Sequence, residues 1–398
     1  MNWKKEVFGR SSLDGLSVIG IFFLIINFYQ SSYLLMFLGT LLIVMSWMGK
    51  YYLQHVSDQL IIENHKESIK VSVGEEFKLP LTFTQHSRLP IIHATLRIKL
   101  EPIIEGPNLQ SNSNSDKRDL ELSIPFQIKG KESVQVSLPL TAIKRGVTRV
   151  KSLEITVTNF FGIGYVELLY TPFLHQEIVI YPTLIPVPNI EQLIATKSFG
   201  YFPSSSSMFE DVLSPIGTRD YVYSDPFQRI HWKQSAKAQS LQTKVFEKTA
   251  EYSWTFIINL RDIDLPNYRM SVIENLDSIA SNIAYMVRYA ASKNIDYEIV
   301  LNLNMESGVP VYHLPVGGGI TQLGRTFEIL ARINRERSTQ PISKLLYFVE
   351  KQQLNSPVVI LCGPFGSEGN RYFAQMQKRG QKVYYLQDDL QHPSIVSL

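Results

Sequence analysis

Apolar residues follow three successive patterns along this chain. From residue 13 to 29 nearly every position is apolar, with Asp14 at the margin, and a second such run occupies 33–48 after only Gln30, Ser31 and Ser32. Each run is near the lower end of the roughly 17–25 residues that cross a hydrocarbon core as a helix, and so short a polar break predicts a tight helical hairpin. Two adjoining runs argue against a cleaved leader, which has one run and a small-residue cleavage site. A hairpin buried in a soluble core is the alternative, but core helices of this length usually keep a polar face.

Between residues 60 and 188 the pattern shortens to stretches that alternate or are rich in β-branched residues: 68–73, 77–83, 92–100, 133–140, 153–157 and 177–182. These read as strands, and their spacing predicts an antiparallel sandwich of roughly seven strands. The most polar interruption, 106–118, reads as a mobile loop. Pro186 and Pro188 stiffen a connector, the serine run 204–207 looks flexible, and a boundary is expected between residues 187 and 215.

The third pattern alternates buried strands with amphipathic helices. Strands are expected at 254–260, 297–303, 358–362 and 382–386, with helices at 271–293, 320–335, 344–354 and 370–379. Such alternation builds a mostly parallel sheet covered on both faces. The predicted organisation is therefore multidomain: a transmembrane hairpin (1–52), a β-sandwich-like domain (60–188), a linker with a motif segment (189–253) and an α/β domain (254–398).

Charge fixes a direction for the hairpin. Lys4, Lys5 and Arg10 precede it, Lys50 follows it and the turn between is uncharged, so the positive-inside rule places both flanks, and the soluble body, in the cytoplasm. Trp3, Tyr29, Tyr33, Trp47, Tyr51 and Tyr52 fall where amphipathic rings prefer the interface. A net charge of +3, from 39 Lys and Arg against 36 Asp and Glu, suggests no polyanion partner. Cys362 is the sole cysteine, which excludes an intramolecular disulfide and a cysteine-based metal site.

The most distinctive segment is 217–237, GTRDYVYSDPFQRIHWKQSAK. Its second half reads as a helix with Asp225 at the N-cap, Pro226 at the first turn and Gln228 in the capping-box position, followed by a strand at 241–247. Arg219, Asp220, Asp225, Arg229, His231, Trp232 and Lys233 offer charged and aromatic anchors of the kinds that dominate protein–protein hot spots. The alternative is structural: Arg219 paired with Asp220, and Trp232 in the core. A nucleic-acid role is disfavoured because one short basic helix lacks a wider basic face. Zinc is disfavoured because His231 has no partner at a ligand spacing.

Arg219-Asp220-Tyr221, Asp225, Arg229 through Lys233, Ser235-Ala236-Lys237 and 241–247, following two N-terminal spans and the Val179–Pro182 strand, resemble the signature of the domain-of-unknown-function 58 family over essentially the whole chain. The resemblance implies a C-terminal domain similar to a von Willebrand factor A fold. It also implies gene neighbours of two kinds, MoxR-type AAA+ ATPases and transglutaminase-like membrane proteins. One departure is Asn159-Phe160-Phe161-Gly162 in place of an Asp-Pro-Phe-Gly turn, from which the turn is expected to survive without its aspartate cap.

A von Willebrand factor A domain binds a divalent cation through an Asp-x-Ser-x-Ser loop after its first strand. Those positions fall here on Asn259, Arg261 and Ile263, an amide, a cation and an apolar residue, unsuited to a hard dication. With Asp262 as the one stray oxygen ligand, no metal and no cofactor are expected, and Arg261 is read as pairing with Asp262 or with a partner's carboxylate. The glycines 317–319 and the segment 363–369 read as turns, since the former lacks the lysine of a phosphate loop. Cys362 reads as inert core. Two functions follow: a non-enzymatic membrane-anchored scaffold that docks a cytoplasmic protein through the motif segment, or an enzyme or metal-dependent binder using Asp262, Asn304, Glu306 and Glu368 at the carboxyl edge of the sheet.

Overall fold

The computed structural model describes residues 3–63, 67–106, 109–111, 120–172, 174–194, 201–203, 210–261, 272–303, 311–333, 339–352, 354, 356–388 and 393–398. The chain divides after Tyr181 into two compact units. This lies ahead of the boundary read at 187–215, because strand Glu177–Tyr181 belongs to the first unit: it pairs antiparallel with Gly146–Arg149 and parallel with Ile69–Ser72. The 106–118 loop and the 204–207 serines fall largely outside the described residues.

In the first unit, α1 (Arg10–Gln30) and α2 (Tyr33–His55) form the expected hairpin, and both are long and apolar enough to cross a membrane. They meet glycine to glycine. A Cβ on Gly20 would lie 2.9 Å from the Gly39 carbonyl oxygen, and one on Gly39 would lie 2.8 Å from that of Gly20. Such backbone contact lets dispersion hold helices together where no hydrophobic drive exists between them. Ser46 Oγ adds a hydrogen bond to the Leu13 carbonyl oxygen at 2.5 Å. Replacing Gly39 with leucine is expected to push the helices apart at an overpacking cost of about 1–3 kcal/mol, read as a lower unfolding midpoint of the full chain in detergent. An unchanged midpoint would rule out this helix contact.

No flexible tether joins hairpin to sandwich. Residues Trp3–Phe8, whose lysines read from sequence only as a basic flank, form a strand paired antiparallel with Tyr165–Tyr170. Gly9, at φ 77°, turns that strand directly into α1. A Cβ on Gly9 would sit 2.5 Å from Gly164 Cα, so only glycine fits. At the other end, α2 leads through Val56 into Leu60–Ile62, which pairs with Glu76–Gln85, and Tyr52, Leu53 and Val56 are buried in the sandwich core. The two ends of the hairpin thus become strands of opposite sheets.

One sheet runs in the order Trp3–Phe8, Tyr165–Tyr170, Ser152–Thr158, Ile91–Leu100, Leu120–Ile128, Leu109–Ser111, and a second runs Leu60–Ile62, Glu76–Gln85, Ser133–Ala142, Ile104–Glu105, beside the three-stranded sheet of Gly146–Arg149, Glu177–Tyr181 and Ile69–Ser72. Phe77, Leu79, Leu81 and Phe83 alternate inward against Leu96, Ile98 and Leu100, the period of two that sets register in a half-buried sheet. The turn at 159–162 keeps a cap despite its missing aspartate. Asn159 Oδ1 accepts from the Phe161 and Ile163 amides at 3.2 and 2.9 Å: the turn survives as expected, and Asn159 takes over the cap, because an amide oxygen serves an Asx turn as well as a carboxylate.

The second unit begins with a small antiparallel sheet, Tyr201–Pro203, Gln242–Glu251, Glu210–Asp220, beside the short helix α3 (Trp232–Ala238). The larger sheet follows, in the order Tyr312–Gly317, Asp296–Leu301, Ser253–Ile258, Val358–Cys362, Lys382–Gln387, Ser394–Ser397. Its inner strands are parallel and both edge strands antiparallel. Trp254, Phe256 and Ile258 face α4 (Leu276–Ser292) and α5 (Gly319–Arg332). Ile257, Val359 and Leu361 face α6 (Ile342–Gln352) and α7 (Gly366–Lys378). Helices therefore cover both faces. Both antiparallel edge strands went unpredicted, and residues 366–369, read as a connecting loop, open α7 instead.

Candidate functional site

The motif segment is organised by Asp225, though not as a helix cap. Its carboxylate receives both terminal nitrogens of Arg219, at 2.6 and 2.8 Å, together with the Val222 amide and the Thr243 hydroxyl, each at 3.1 Å. The helix expected from Asp225 is broken into a 3-10 turn, Phe227–Arg229, and α3. Between them Ile230 is extended and bridges Thr243. His231 is the cap of α3, its Nδ1 accepting from the Gln234 amide at 3.1 Å, so this ring nitrogen serves the fold. Arg219 pairs with Asp225 rather than Asp220, whose Oδ1 accepts from Gln242 Nε2 at 2.5 Å. The Arg229 guanidinium stands 5.5 Å from the centre of the buried Phe246 ring.

On this braced loop the large apolar side chains face out. Trp232 is 59% exposed, Phe227 67% and Tyr223 97%, and the Trp232 and Phe227 rings meet edge to face at 5.5 Å. Trp232 is therefore not core, and Lys233, on the first turn of α3, is exposed beside it. A rigid aromatic pair with neighbouring cations presents area for docking with little ordering entropy left to lose.

Arg219, the first cause, together with the Val222 amide holds the Asp225 carboxyl below the ordinary carboxylate range. A depressed folded pKa contributes stability that is complete above the unfolded value of about 4 and lost as pH falls through the folded value. Trp232 emission is therefore expected to hold steady from neutral pH down to about 5 and to change only below about 4. Asp225→Asn is expected to alter the emission at neutral pH and to abolish that acid transition. A transition that persists in the variant would place the titrating group elsewhere.

The carboxyl edge of the larger sheet is closed by amides. Asn259, fully buried, accepts at Oδ1 from the Arg261 amide at 3.1 Å and from Asn302 Nδ2 at 2.6 Å. Its Nδ2 donates to the carbonyl oxygens of Arg261 and Pro364. Asn302 in turn accepts from the Leu260 amide at 2.8 Å and donates to the Gln340 carbonyl oxygen at 2.9 Å. Every polar atom of the Asn259 side chain is thus committed to joining strand ends. Among the described residues no group of three or more His, Cys, Asp or Glu is placed to hold a metal ion. Asp262, Ile263, Asn304 and Glu306 lie outside the described residues, as does the side chain of Glu368. Cys362 is buried, and burial, reinforced by Asp388, raises its thiol pKa and keeps it protonated.

No family model matches the chain, and no curated protein does. Among solved structures, a non-cellulosomal cohesin from Archaeoglobus fulgidus aligns at 12% identity over 28% of this chain and 86% of its own, with TM-score 0.20. A putative membrane anchored protein from Corynebacterium diphtheriae aligns at 13% identity over 31% and 32%, with TM-score 0.20. A cohesin from a Clostridium thermocellum cohesin–dockerin complex aligns at 12% over 31% and 97%, with TM-score 0.19. At such scores these likenesses carry no argument.

Sequence reasoning missed two polar clusters. Buried Glu298 accepts from Thr255 Oγ1 at 2.6 Å and Ser356 Oγ at 3.3 Å and pairs with His313 Nε2 at 3.0 Å, bracing the edge strand Tyr312–Gly317. Its signal was a lone acid inside an apolar strand. Asp388 accepts from Asn275, Ser278 and Asn282 at 2.5, 2.7 and 2.8 Å, joining the start of α4 to the end of Lys382–Gln387. No spacing announces contacts so distant in sequence.

Proposed function

We propose that the chain is a membrane-anchored scaffold that docks a cytoplasmic protein on the Tyr223, Phe227 and Trp232 surface. The exposed Trp232–Phe227 pair, held on a loop braced by Arg219 and Asp225, carries this reading: rings of that size exposed on an ordered loop contribute nothing to the core and mark an interaction site. The two apolar helices supply the anchor. Their flanking cations, Lys4, Lys5, Arg10 and Lys50, support a cytoplasmic side for the soluble body by the positive-inside rule.

By the resemblance to the domain-of-unknown-function 58 family, the α/β unit is a von Willebrand factor A-like domain and the partner a MoxR-type AAA+ ATPase. The Asn259–Asn302 lock supports a role without metal, since its oxygens are spent on backbone amides and a neighbouring amide nitrogen. The test is purification of the full chain from gently solubilised membranes, followed by mass spectrometry of what travels with it. An AAA+ ATPase at near-equal amount is expected; a chain that elutes alone overturns the scaffold reading.

A further inference from the structure

The turn between Asn159 and Gly164 lies where the apolar runs of the hairpin end. Leu13 opens the first run and Met48 closes the second. On Gly49, the next residue of α2, a Cβ would stand 3.0 Å from Asn159 Nδ2 and 3.2 Å from Leu13 Cδ2. Gly9 abuts Gly164 at the foot of α1, and the Tyr52 ring lies 4.5 Å from that of Phe160. The turn is therefore held level with the ends of the two apolar runs.

At that depth the sandwich turns aromatic rings outward. Phe160 is 40% exposed, and Phe8 and Tyr165, stacked at 5.0 Å, are exposed to a similar degree. On α2 the exposed Trp47 and Tyr51 stack at 5.8 Å near the same level. Arg10 is exposed at the start of α1, while Lys50 is paired with Asp14 at 2.5 Å. Further along α1, Val18 and Phe22 are exposed as well. Amphipathic rings concentrate at the boundary of headgroups and acyl chains, and cations beside them favour anionic headgroups.

Resting on the reading of α1 and α2 as membrane spans, we infer that the Asn159–Gly164 turn, with Phe8 and Tyr165, is a second membrane contact seated in the headgroup region of the leaflet from which the hairpin emerges. Its ligand is the lipid interface. The glycine contact at Gly9 and the Asn159 contact at Gly49 fix its depth relative to the spans, so the sandwich stands on the bilayer at a set orientation.

The test uses the full chain carrying Cys362→Ala, reconstituted in vesicles of phosphatidylethanolamine and phosphatidylglycerol, with a nitroxide on Phe160→Cys or, independently, on Tyr165→Cys. Collision with an aqueous nickel chelate and with bilayer-dissolved oxygen is compared with labels at Tyr223→Cys, in the soluble body, and Phe22→Cys, in α1. Nickel access several-fold lower at both turn positions than at Tyr223, together with raised oxygen access, is the expected result. Nickel access equal to that at Tyr223, while Phe22 reports hydrocarbon, overturns the second contact and leaves the membrane reading standing. Water-like access at Phe22 overturns both. Shielding that vanishes when the protein is diluted into excess lipid assigns the rim to a protein neighbour and overturns the lipid contact.

Discussion

Chains carrying Trp232→Ala and Phe227→Ala together are expected to lose partner capture while keeping their fold. A hot-spot aromatic is worth about 2–4 kcal/mol when truncated, so even one such residue lowers affinity roughly 30-fold or more. The rings already face solvent, and their removal forfeits chiefly one edge-to-face contact, worth about 0.5–1.5 kcal/mol. The unfolding midpoint should therefore move little. Tyr347→Ala, which removes an exposed ring on α6, is the matched control and should leave capture intact. Capture undiminished in the double variant would remove the docking surface from this loop; a collapsed midpoint would return Trp232 to a structural role.

Asn259→Asp is expected to destabilise the second unit by about 3–5 kcal/mol. The substitution keeps the acceptor that meets the Arg261 amide but removes the donor to two carbonyl oxygens and buries a carboxylate at a fully covered position. Each buried group left unpaired costs about 1–3 kcal/mol, and the charge costs more. Against a total stability of about 5–15 kcal/mol, this is a large fraction. The decisive comparison is thermal unfolding with and without magnesium. A midpoint that stays low in magnesium fits an edge built as an amide lock. A midpoint restored by magnesium would mean that one atom separates this edge from a metal site, and would favour the metal-dependent reading.

Legibility in the sequence followed the range of the forces involved. The hairpin, the strands expected between residues 60 and 188 and the α/β alternation are written in periodicity, which is local, and they stand where expected to within a few residues, whereas Leu120–Ile128 and Tyr165–Tyr170 were not among the expected strands. Strand Trp3–Phe8 escaped because its lysines resemble a positive-inside flank; its strand character comes from Tyr165–Tyr170, far along the chain. The motif helix was misread for the same reason. Asp225-Pro226 is a good local capping signature, yet the carboxylate is claimed by Arg219 and Thr243 on two strands, and Ile230 is drawn into a bridge with Thr243. The residue types of the candidate site were legible, but its outward aromatic face was not, because burial is decided by what packs against a ring and not by the ring itself.

Because both ends of the hairpin continue into strands of the sandwich, the closing of each sheet depends on where the two ends of the hairpin lie. The first strand leaves the ribosome before either span and, at about 5–20 residues per second, waits roughly 10–30 s for Tyr165–Tyr170 to be made. If the leading segment fails to reach its place, the sheet closes without its edge strand, and Tyr165–Tyr170 is left as an unpaired edge of the sort that recruits aggregation. Completing the sandwich thus requires the chain on either side of the hairpin to meet in one fold, a condition written into the order of the strands.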